Sequence, residues 1–302
     1  MGWLKQVLLS LCAACLLLSC DDTPKHPDTL SKGVIDISAD ETYRPVIEAQ
    51  KQVFDSSYPD AKITIHYKPE AECLKDYFDS KARLILITRD LTKEEKDACL
   101  KSKKIWPSSL LLARDAVAVI VNKESADTMI DMNVLKGILT GTYKTKYTVV
   151  FDDQSSSTVR YIMDSVLKGE KLGNNVFAAK GNADAVDYVS KNPNAIGFVG
   201  LNYVSDSVDP GNTGTFIKNV SVVALQDPKS REFVQPYMAY VALRSYPLTR
   251  HLYYINSESY PGLGTGFANF LAGQRGQLVF FHSHLFPLRS EMVIRQAELN
   301  NN

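Results

Sequence analysis

One pattern recurs along the chain: a short apolar run is followed by a stretch whose apolar residues return every three or four positions. Short apolar runs are typical of buried strands, and the wider spacing is typical of helices that bury one face. In the first part of the chain the predicted strands are 33–38, 62–67 and 82–88, and the predicted helices are 45–58, 70–80 and 92–102. Strands that alternate with helices in this way predict a mostly parallel sheet flanked by helices.

A long apolar run over residues 110–122 separates this series from a second one. It is longer than most strands, as expected of a segment that passes between two lobes. The second series comprises helices 134–139 and 183–191, strands 148–151 and 195–199, apolar stretches 237–243 and 248–255 for a return crossing, and a last helix 266–281. About 270 residues exceed a typical single core. We therefore predict an α/β protein with lobe 1 formed by residues 33–118 and 241–296, and lobe 2 by residues 119–240.

The first 19 residues have the composition of a secretion signal. Lys5 is their only charge, and their apolar core is too short to cross a membrane permanently. Leu17–Cys20 reads as a lipobox, in which the cysteine is acylated and becomes the new N-terminus; a plain signal with an incidental cysteine is the alternative. Residues 20–32 are polar and contain two prolines, which favours a flexible tether. These features predict a soluble body that acyl chains hold to a bacterial envelope membrane, in the periplasm.

Charge, cysteine and histidine content limit the kinds of partner, disulfide and metal site that we expect. Without residues 1–19 the chain has 33 basic and 34 acidic side chains, which gives no reason to expect nucleic acid or an anionic membrane surface as a partner. Cys73 and Cys99 remain beside Cys20, and the sequence leaves open whether they pair. His282 and His284 form the only close histidine pair, with no cysteine nearby, so we expect no metal and no cofactor.

Three turns that follow predicted strands combine hydroxyls with an arginine: 40–44, 88–90 and 155–160. The last opens a helix with an apolar face, and Ser156 or Ser157 is its expected N-cap. Ligands of open α/β sheets bind at such turns. Unpaired N–H groups and the partial positive charge of a helix N-terminus suit a small oxyanion. An ordinary capped helix with a polar loop is the alternative for the third turn taken alone.

Nearly the whole chain after residue 20 resembles the periplasmic phosphate-binding proteins of phosphate ABC transporters, the PstS-type family of type 2 periplasmic binding proteins. The matching segments, in order, are 40–45, 88–92, 115–122, 135–141, 155–158, 194–198, 246–250 and 266–270, after the lipoprotein signal. The resemblance implies a two-lobed fold with two hinge crossings, no enzymatic activity, and a monomer that delivers phosphate or a similar oxyanion to an ABC permease. It implies no nucleic acid, and membrane contact through the lipid anchor only.

The resemblance also implies the site. Better-known members carry an arginine and then a Ser-Gly-Thr triplet; here Ser156, Ser157 and Thr158 fall on the triplet, and Asp152 falls on the arginine. Arg89, assisted by Arg44 or Arg160, is then expected to supply the positive charge, and Glu41, Asp90 or Asp152 to accept the phosphate proton. The expected ligand-binding residues are Glu41, Thr42, Arg44, Thr88, Arg89, Ser155, Ser156, Ser157, Thr158 and Arg160, with Cys20 as lipidation site and no catalytic residue.

Two other classes of function stay open. An envelope phosphatase or serine hydrolase would use one of residues 155–157 as nucleophile, but no Gly-x-Ser-x-Gly elbow is present and no histidine lies in the three turns. A metal-dependent phosphatase would need a cluster of carboxylates and histidines, which these turns supply only in part. A lipoprotein with an altered pocket could instead act in sensing or in contacts with other envelope components, and Asp152 favours that alternative. The glycine-rich segment 262–266 lacks the strand, turn and helix of a dinucleotide site.

Overall fold

The computed structural model describes residues 26–206 and 216–289. The predicted signal 1–19, the lipidation site Cys20, most of the predicted tether and the end of predicted lobe 1, residues 290–296, lie outside the described residues. The strands are β1 Gly33–Asp40, β2 Ala61–Lys68, β3 Leu84–Ile87, β4 Ser108–Asn122, β5 Met129–Ile130, β6 Thr148–Phe151, β7 Val176–Ala178, β8 Ala195–Gly200, β9 Val220–Val222, β10 Ala224–Gln226, β11 Phe233–Val234, β12 Thr249–Asn256 and β13 Phe286–Pro287. The α-helices are α1 Arg44–Ser57, α2 Glu70–Phe78, α3 Lys93–Lys103, α4 Met132–Thr140, α5 Ser157–Ile162, α6 Asn182–Lys191, α7 Met238–Leu243, α8 Leu263–Ala272 and α9 Gln274–His282.

Most predicted elements lie within a few residues of the observed ones, because their boundaries carry local signals. The Thr92 side chain accepts from the Glu95 N–H, and the Glu95 carboxylate accepts from the Thr92 N–H, so the capping box at the start of α3 is confirmed. α5 begins as predicted, with Ser156 as its N-cap. It widens into a π turn over Met163–Leu167. Met163 is 40% exposed, although its spacing of four from Val159 places it on the predicted apolar face of this helix.

The last predicted helix, 266–281, is wrong as a single helix. α8 ends at Ala272 and α9 begins at Gln274, because Gly273 between them has extended backbone. The second helix packs closely on the end of the first: a Cβ at Gly276 would lie 2.4 Å from the carbonyl oxygen of Phe270. The apolar spacing continues through this break, so it could not indicate the turn.

One mixed sheet runs through both lobes, in the order β2, β1, β3, β12, β4, β8, β6, β7. β1 pairs in parallel with β2 and β3, and β6 pairs in parallel with β7 and β8, whereas β12 and β4 are antiparallel to their neighbours. β4 pairs with β12 along its first half and with β8 along its second half. This strand is therefore the first crossing between the lobes. It is long because one half lies in each lobe, as the long apolar run indicated.

Two main apolar cores define the lobes. Lobe 1 has a core between α1, α8 and β1, and a smaller one around Tyr77 and Leu91. Lobe 2 has a core from Ala116 to Leu248 that includes Val241 and Tyr246. The cores thus separate at residues 113–116 and 248–252, so residues 241–248 pack with lobe 2 and not with the lobe predicted for them. The N–H of Val117 donates to the carbonyl of Leu248 over 2.9 Å, which places the two crossings side by side.

The end of the predicted tether is attached to lobe 1. Asp28 is only 4% exposed, and Thr29 and Lys32 form a small antiparallel bridge. Among the described residues no helix combines the length and apolar content that crossing a bilayer requires.

Cys73 and Cys99 are both free thiols, buried in the smaller core of lobe 1. Burial raises the pKa of each thiol, because a thiolate there would lose its hydration.

We predict that both thiols are inert in the folded protein. In a chain that begins at residue 21, a thiol reagent should modify neither cysteine in buffer and both in denaturant, counted by mass spectrometry. If either cysteine of the folded protein is modified as fast as in the unfolded chain, the result contradicts the burial of that thiol.

Candidate anion-binding site

Three strand ends meet in the cleft between the lobes. β1 ends at Asp40, β3 ends just before Thr88, and β6 ends just before Asp152. Thr42 Oγ1 of lobe 1 lies 3.4 Å from Ser157 Oγ of lobe 2. On another part of the cleft, Arg160 Nη2 donates to Thr88 Oγ1 over 2.6 Å. These contacts bring together the three turns that the sequence singled out.

The first turn of α5 lies at the centre of the cleft. Ser156 Oγ accepts from the Val159 N–H over 3.2 Å, as an N-cap does. Ser157 and Thr158 are completely buried, although both are polar. Buried hydroxyls need partners, and the partner that these two share is an arginine that the sequence analysis did not assign to the site.

Arg250, on β12, is the buried positive charge of the cleft. Its Nε donates to Asp115 Oδ2 on β4 over 2.8 Å, and both side chains are at most 2% exposed. Its Nη1 lies 3.2 Å from Ser157 Oγ and 3.4 Å from Thr158 Oγ1. Burial opposes the charged form, but the surrounding Tyr43, Asp115 and Asp40 raise the pKa of Arg250 above its ordinary value, so the guanidinium stays charged.

The sequence contained a signal for Arg250. Arg250 belongs to the matching segment 246–250, and it lies on the same strand face as Leu248 and Leu252, both of which are buried. An arginine on the inward face of an apolar strand requires a buried partner. That partner, Asp115, lies in the middle of the other crossing strand, 135 residues away along the chain.

Asp40, at the end of β1, is a buried carboxylate with one oxygen in use. Oδ1 accepts from the Thr42 N–H over 3.0 Å, whereas Oδ2 has no hydrogen-bond partner in the described part of the chain. Burial, and then the charge of Glu70, raise the pKa of Asp40 from 3.8 to about 7, against the opposing charge of Arg250. Between pH 3.8 and about 7, folded Asp40 therefore holds a proton that the unfolded chain has lost, and its contribution to stability falls as the pH rises through this range.

Asp152, at the position where the resemblance implies arginine, is fully bonded. Its Oδ1 accepts from Ser156 Oγ over 2.6 Å, and its Oδ2 accepts from Asn182 Nδ2 over 3.0 Å. The hydroxyls of Thr42 and Thr158 lie 3.5 and 3.4 Å from Oδ2. Burial raises the pKa of Asp152, and the Ser156 hydrogen bond is the largest opposing effect. This carboxylate holds side chains of both lobes in place.

Glu41 of lobe 1 makes further hydrogen bonds to side chains of lobe 2. Its carboxylate accepts from Asn182 Nδ2 over 2.8 Å and from the Tyr203 hydroxyl over 2.8 Å. Asn182 in turn accepts from the Gly200 N–H over 2.8 Å. A Cβ at Gly200 would lie 2.5 Å from Cγ2 of Thr42, so the lobes approach each other too closely there for any larger residue.

A second connection between the lobes uses Glu70, Thr88 and Arg160. Glu70 is 2% exposed and accepts from the Thr88 N–H over 2.9 Å. Arg160 Nε donates to the other oxygen of Glu70 over 2.6 Å. Two of the predicted ligand-binding residues, Thr88 and Arg160, are thus engaged with this carboxylate, which the sequence analysis did not single out.

Two predicted arginines do not join the buried group. Arg89 Nη1 and Nη2 donate to the two oxygens of Glu95 over 2.7 and 2.8 Å, at the capping box of α3. Arg44 is half exposed and lies over the ring of Tyr67, with 4.5 Å from its guanidinium carbon to the ring centre. The buried charge that was expected from Arg89 comes from Arg250.

An open cavity of about 440 Å³ leads from solvent to this group. Its lining residues are Asp40, Glu41, Arg44, Tyr67, Lys68, Pro69, Asp152, Asp153, Ser156, Ala179, Lys180 and Gly181. The buried residues of this lining are Asp40, Asp152 and the N-cap Ser156.

The chemistry of the cleft suits binding. Ser156 Oγ donates to the Asp152 carboxylate, and Ser157 Oγ lies beside the Thr42 hydroxyl and the Arg250 guanidinium, so the contacts of the two serines within the described residues include no histidine. Ser155 is exposed and bonds to Asp153. Within residues 26–206 and 216–289 no group of three His, Cys, Asp or Glu side chains is placed to hold a metal ion.

Comparisons with known proteins agree with this architecture. Residues 25–275 match the model of the PBP superfamily domain, and the chain therefore belongs to this family. It is 21% identical over 288 residues to the phosphate-binding protein PstS of Borreliella burgdorferi, covering 90% of this chain and 94% of that protein. It is 24% identical over 261 residues to PstS of Pseudomonas aeruginosa, covering 78% and 77%.

Solved structures show the same fold. A phosphate ABC transporter substrate-binding protein of Clostridium perfringens, determined with bound phosphate, superposes with a TM-score of 0.71 at 24% identity, over 85% of this chain and all of that one. An ABC-type phosphate transport receptor of Vibrio cholerae superposes with a TM-score of 0.64 at 16% identity, over 83% and 99%. The predicted two-lobed α/β periplasmic-binding-protein fold is confirmed.

We predict that Arg250 is essential for stability. Arg250→Met leaves Asp115 buried and unpaired, and should lower the free energy of unfolding by about 3–5 kcal/mol. The measurement is urea unfolding followed by circular dichroism.

Arg89→Met is the matched control, because Arg89 also pairs with a carboxylate, but in a partly exposed position where its side chain is 27% accessible. It should cost only about 0–1 kcal/mol. Equal losses for the two variants would contradict the assignment of the buried charge to Arg250.

Proposed function

We propose that this protein binds inorganic phosphate in the cleft and carries it to an ABC permease. One observation supports this most: Arg250 Nη2 and Asp40 Oδ2 are buried, unpaired within the described residues, and both belong to side chains beside Ser157. A buried donor and a buried acceptor without partners are costly. A ligand that accepts from one and donates to the other would remove both costs.

Phosphate has the required chemistry. Its oxygens accept from Arg250 and from the hydroxyls of Thr42, Ser157 and Thr158, and the first turn of α5 adds a favourable dipole. Near neutral pH phosphate keeps a proton, which Asp40 Oδ2 can accept when Asp40 is itself ionised, as it is above its pKa of about 7. From the sequence we expected Glu41, Asp90 or Asp152 to accept the phosphate proton. Glu41 and Asp152 already hold other donors, and Asp90 pairs with Lys96 over 2.7 Å.

The surplus of carboxylates supports a protonated anion. Asp40, Glu70, Asp115 and Asp152 lie buried in or next to the cleft, and Arg250 is the only buried cation among the described residues. An oxyanion without a proton, such as sulfate, would face unpaired negative charge and be rejected.

Delivery and location follow from the architecture and the N-terminal sequence. Hinged lobes can exclude water from the ligand, and their closed form presents a surface that an empty, open form does not. Acylation at Cys20 would keep the carrier at an envelope membrane, with its monomeric body in the periplasm and without nucleic acid or catalysis. The relatives are named as binding proteins and not as enzymes, which supports this choice.

A second function has one observation in its favour. Asp152 already occupies the hydroxyls of Ser156 and Thr158, which would otherwise be free to bind an anion. A lipoprotein of this fold whose pocket is closed by its own carboxylate would act as a sensor or as a contact protein of the envelope, and would bind no oxyanion.

Titration calorimetry with phosphate separates the two functions. Dialysed protein should bind phosphate at one site, and Ser157→Ala should weaken binding about tenfold because it removes one buried hydrogen bond. Ser155→Ala is the matched control, since Ser155 is exposed in the same loop; its effect should stay below about twofold. No heat with any oxyanion would favour the sensor.

Discrimination against sulfate should depend on Asp40. Asp40→Asn keeps the acceptor for the Thr42 N–H but removes the negative charge, so sulfate should gain affinity while phosphate loses it. Competition of sulfate against labelled phosphate measures this change. Unchanged selectivity would transfer the proton-accepting role to another carboxylate.

A further inference from the structure

The cavity in the cleft is larger than a small inorganic anion needs. Its volume of about 440 Å³ lies within the range of about 300–1,000 Å³ that is typical of sites for small organic molecules. Phosphate has only five heavy atoms and would leave most of this volume free. The size of the cavity therefore fits a ligand that is longer than phosphate itself.

The lobes have little room to close further around the cavity. Residues of both lobes line it, and the lobes already touch beside it. Glu41 accepts from Asn182 over 2.8 Å, and a Cβ at Gly181 would lie 3.5 Å from Glu41 Oε1. The free volume thus belongs to an arrangement in which the two lobes are in contact.

The buried part of the lining is acidic. It contains Asp40 and Asp152, both at most 2% exposed, and the partly exposed Glu41 and Asp153 lie next to them in the chain. Asp152 and Glu41 already accept hydrogen bonds from other side chains. Asp40 Oδ2 has no donor within the described residues. The cavity therefore offers a ligand one buried carboxylate oxygen that still requires a donor.

The cations of the lining do not meet that requirement. Lys68 pairs with Asp76, and the guanidinium of Arg44 lies over the ring of Tyr67. Lys180 is exposed, where water and salt screen its charge. The buried carboxylates therefore favour a positively charged group in the inner part of the cavity.

Esters of phosphate need such a group, whereas inorganic phosphate does not. At about pH 8 inorganic phosphate still keeps the proton that Asp40 can accept. The phosphoryl group of a monoester, whose second pKa is about 6, has lost its last proton at that pH. An ammonium group on the alkyl chain of the ester replaces the missing donor, and the acidic lining favours its charge.

We propose that the cleft also takes phosphate monoesters whose short alkyl chain carries an ammonium group. The phosphoryl group accepts from Arg250 Nη2 and from the hydroxyl of Ser157, and the ammonium group in the cavity donates to Asp40 Oδ2. The alkyl chain lies along the apolar part of the lining, at Tyr67 and Pro69. This inference rests on the phosphoryl site of the proposed function and extends its substrate class.

Titration calorimetry at about pH 8 compares aminoethyl phosphate with propyl phosphate, which has the same length but a methyl group in place of the ammonium group. At this pH the amine is charged, and Asp40 is mostly ionised because its pKa is about 7. The amino ester should bind at least about tenfold more tightly, since a hydrogen bond between two charged groups is strong. Equal affinities would overturn the proposal.

Asp40→Asn tests the partner of the ammonium group. It removes the negative charge, so the affinities for the two esters should differ by less than about twofold. Asp90→Asn is the control, because Asp90 also follows a strand of lobe 1 but pairs with Lys96 outside the cavity lining; it should keep the full preference. A preference that persists in folded Asp40→Asn, with folding checked by circular dichroism, contradicts the proposal. If this variant does not fold, the comparison of the two esters in the wild type decides alone.

Inorganic phosphate and free ethanolamine, measured alongside, separate the possible failures. If phosphate binds but the two esters do not differ, the wider substrate class fails and phosphate binding stands. If the amino ester is preferred as expected and inorganic phosphate does not bind, phosphate transport fails and the amino ester class stands. Ethanolamine should give no heat, and binding as tight as that of the amino ester would show that the phosphoryl group plays no part, against the proposal.

Discussion

The buried ion pair between Arg250 and Asp115 is the constraint on which the cleft depends. Each side chain lies on one of the strands at the two crossings, so the pair joins the segments about which lobes of this kind move. A guanidinium at 2% exposure must be matched by acceptors, since a buried unpaired charge is severely destabilising. The hydroxyls of Ser157 and Thr158 meet this requirement at Nη1, which explains why polar residues are fully buried at the start of α5, whereas Nη2 has no partner among the described residues.

This arrangement differs from the one that the resemblance implies, in which an arginine precedes the hydroxyl triplet. Here the positive charge comes from a crossing strand, and the position before the triplet holds Asp152. The exchange is consistent, because a carboxylate there accepts from Ser156 and Asn182 and ties the loop to α6. Near Arg250 the same aspartate is also electrostatically favourable, since the charge of Arg250 lowers its pKa against the effect of burial.

Local signals account for the parts of the fold that could be predicted. Thr92 and Glu95, Ser156, and the apolar run of β4 lie within a few residues of the structure that they specify. Prediction failed where a distant partner decides. Gly273 breaks an apolar pattern that continues across it, Asp28 becomes part of lobe 1 through Arg83, and residues 241–248 join the core of lobe 2.

The sequence by itself determined the α/β class, the strand and helix order, and the three turns that face the cleft, because periodicity and capping act between neighbours in the chain. Only the tertiary structure decided which charges meet. Arg89 was available to Glu95 six residues away and pairs there, whereas Arg250 finds Asp115 across 135 residues. Side-chain pairing across a sheet depends on strand order and register, and neither is encoded in the spacing of one strand.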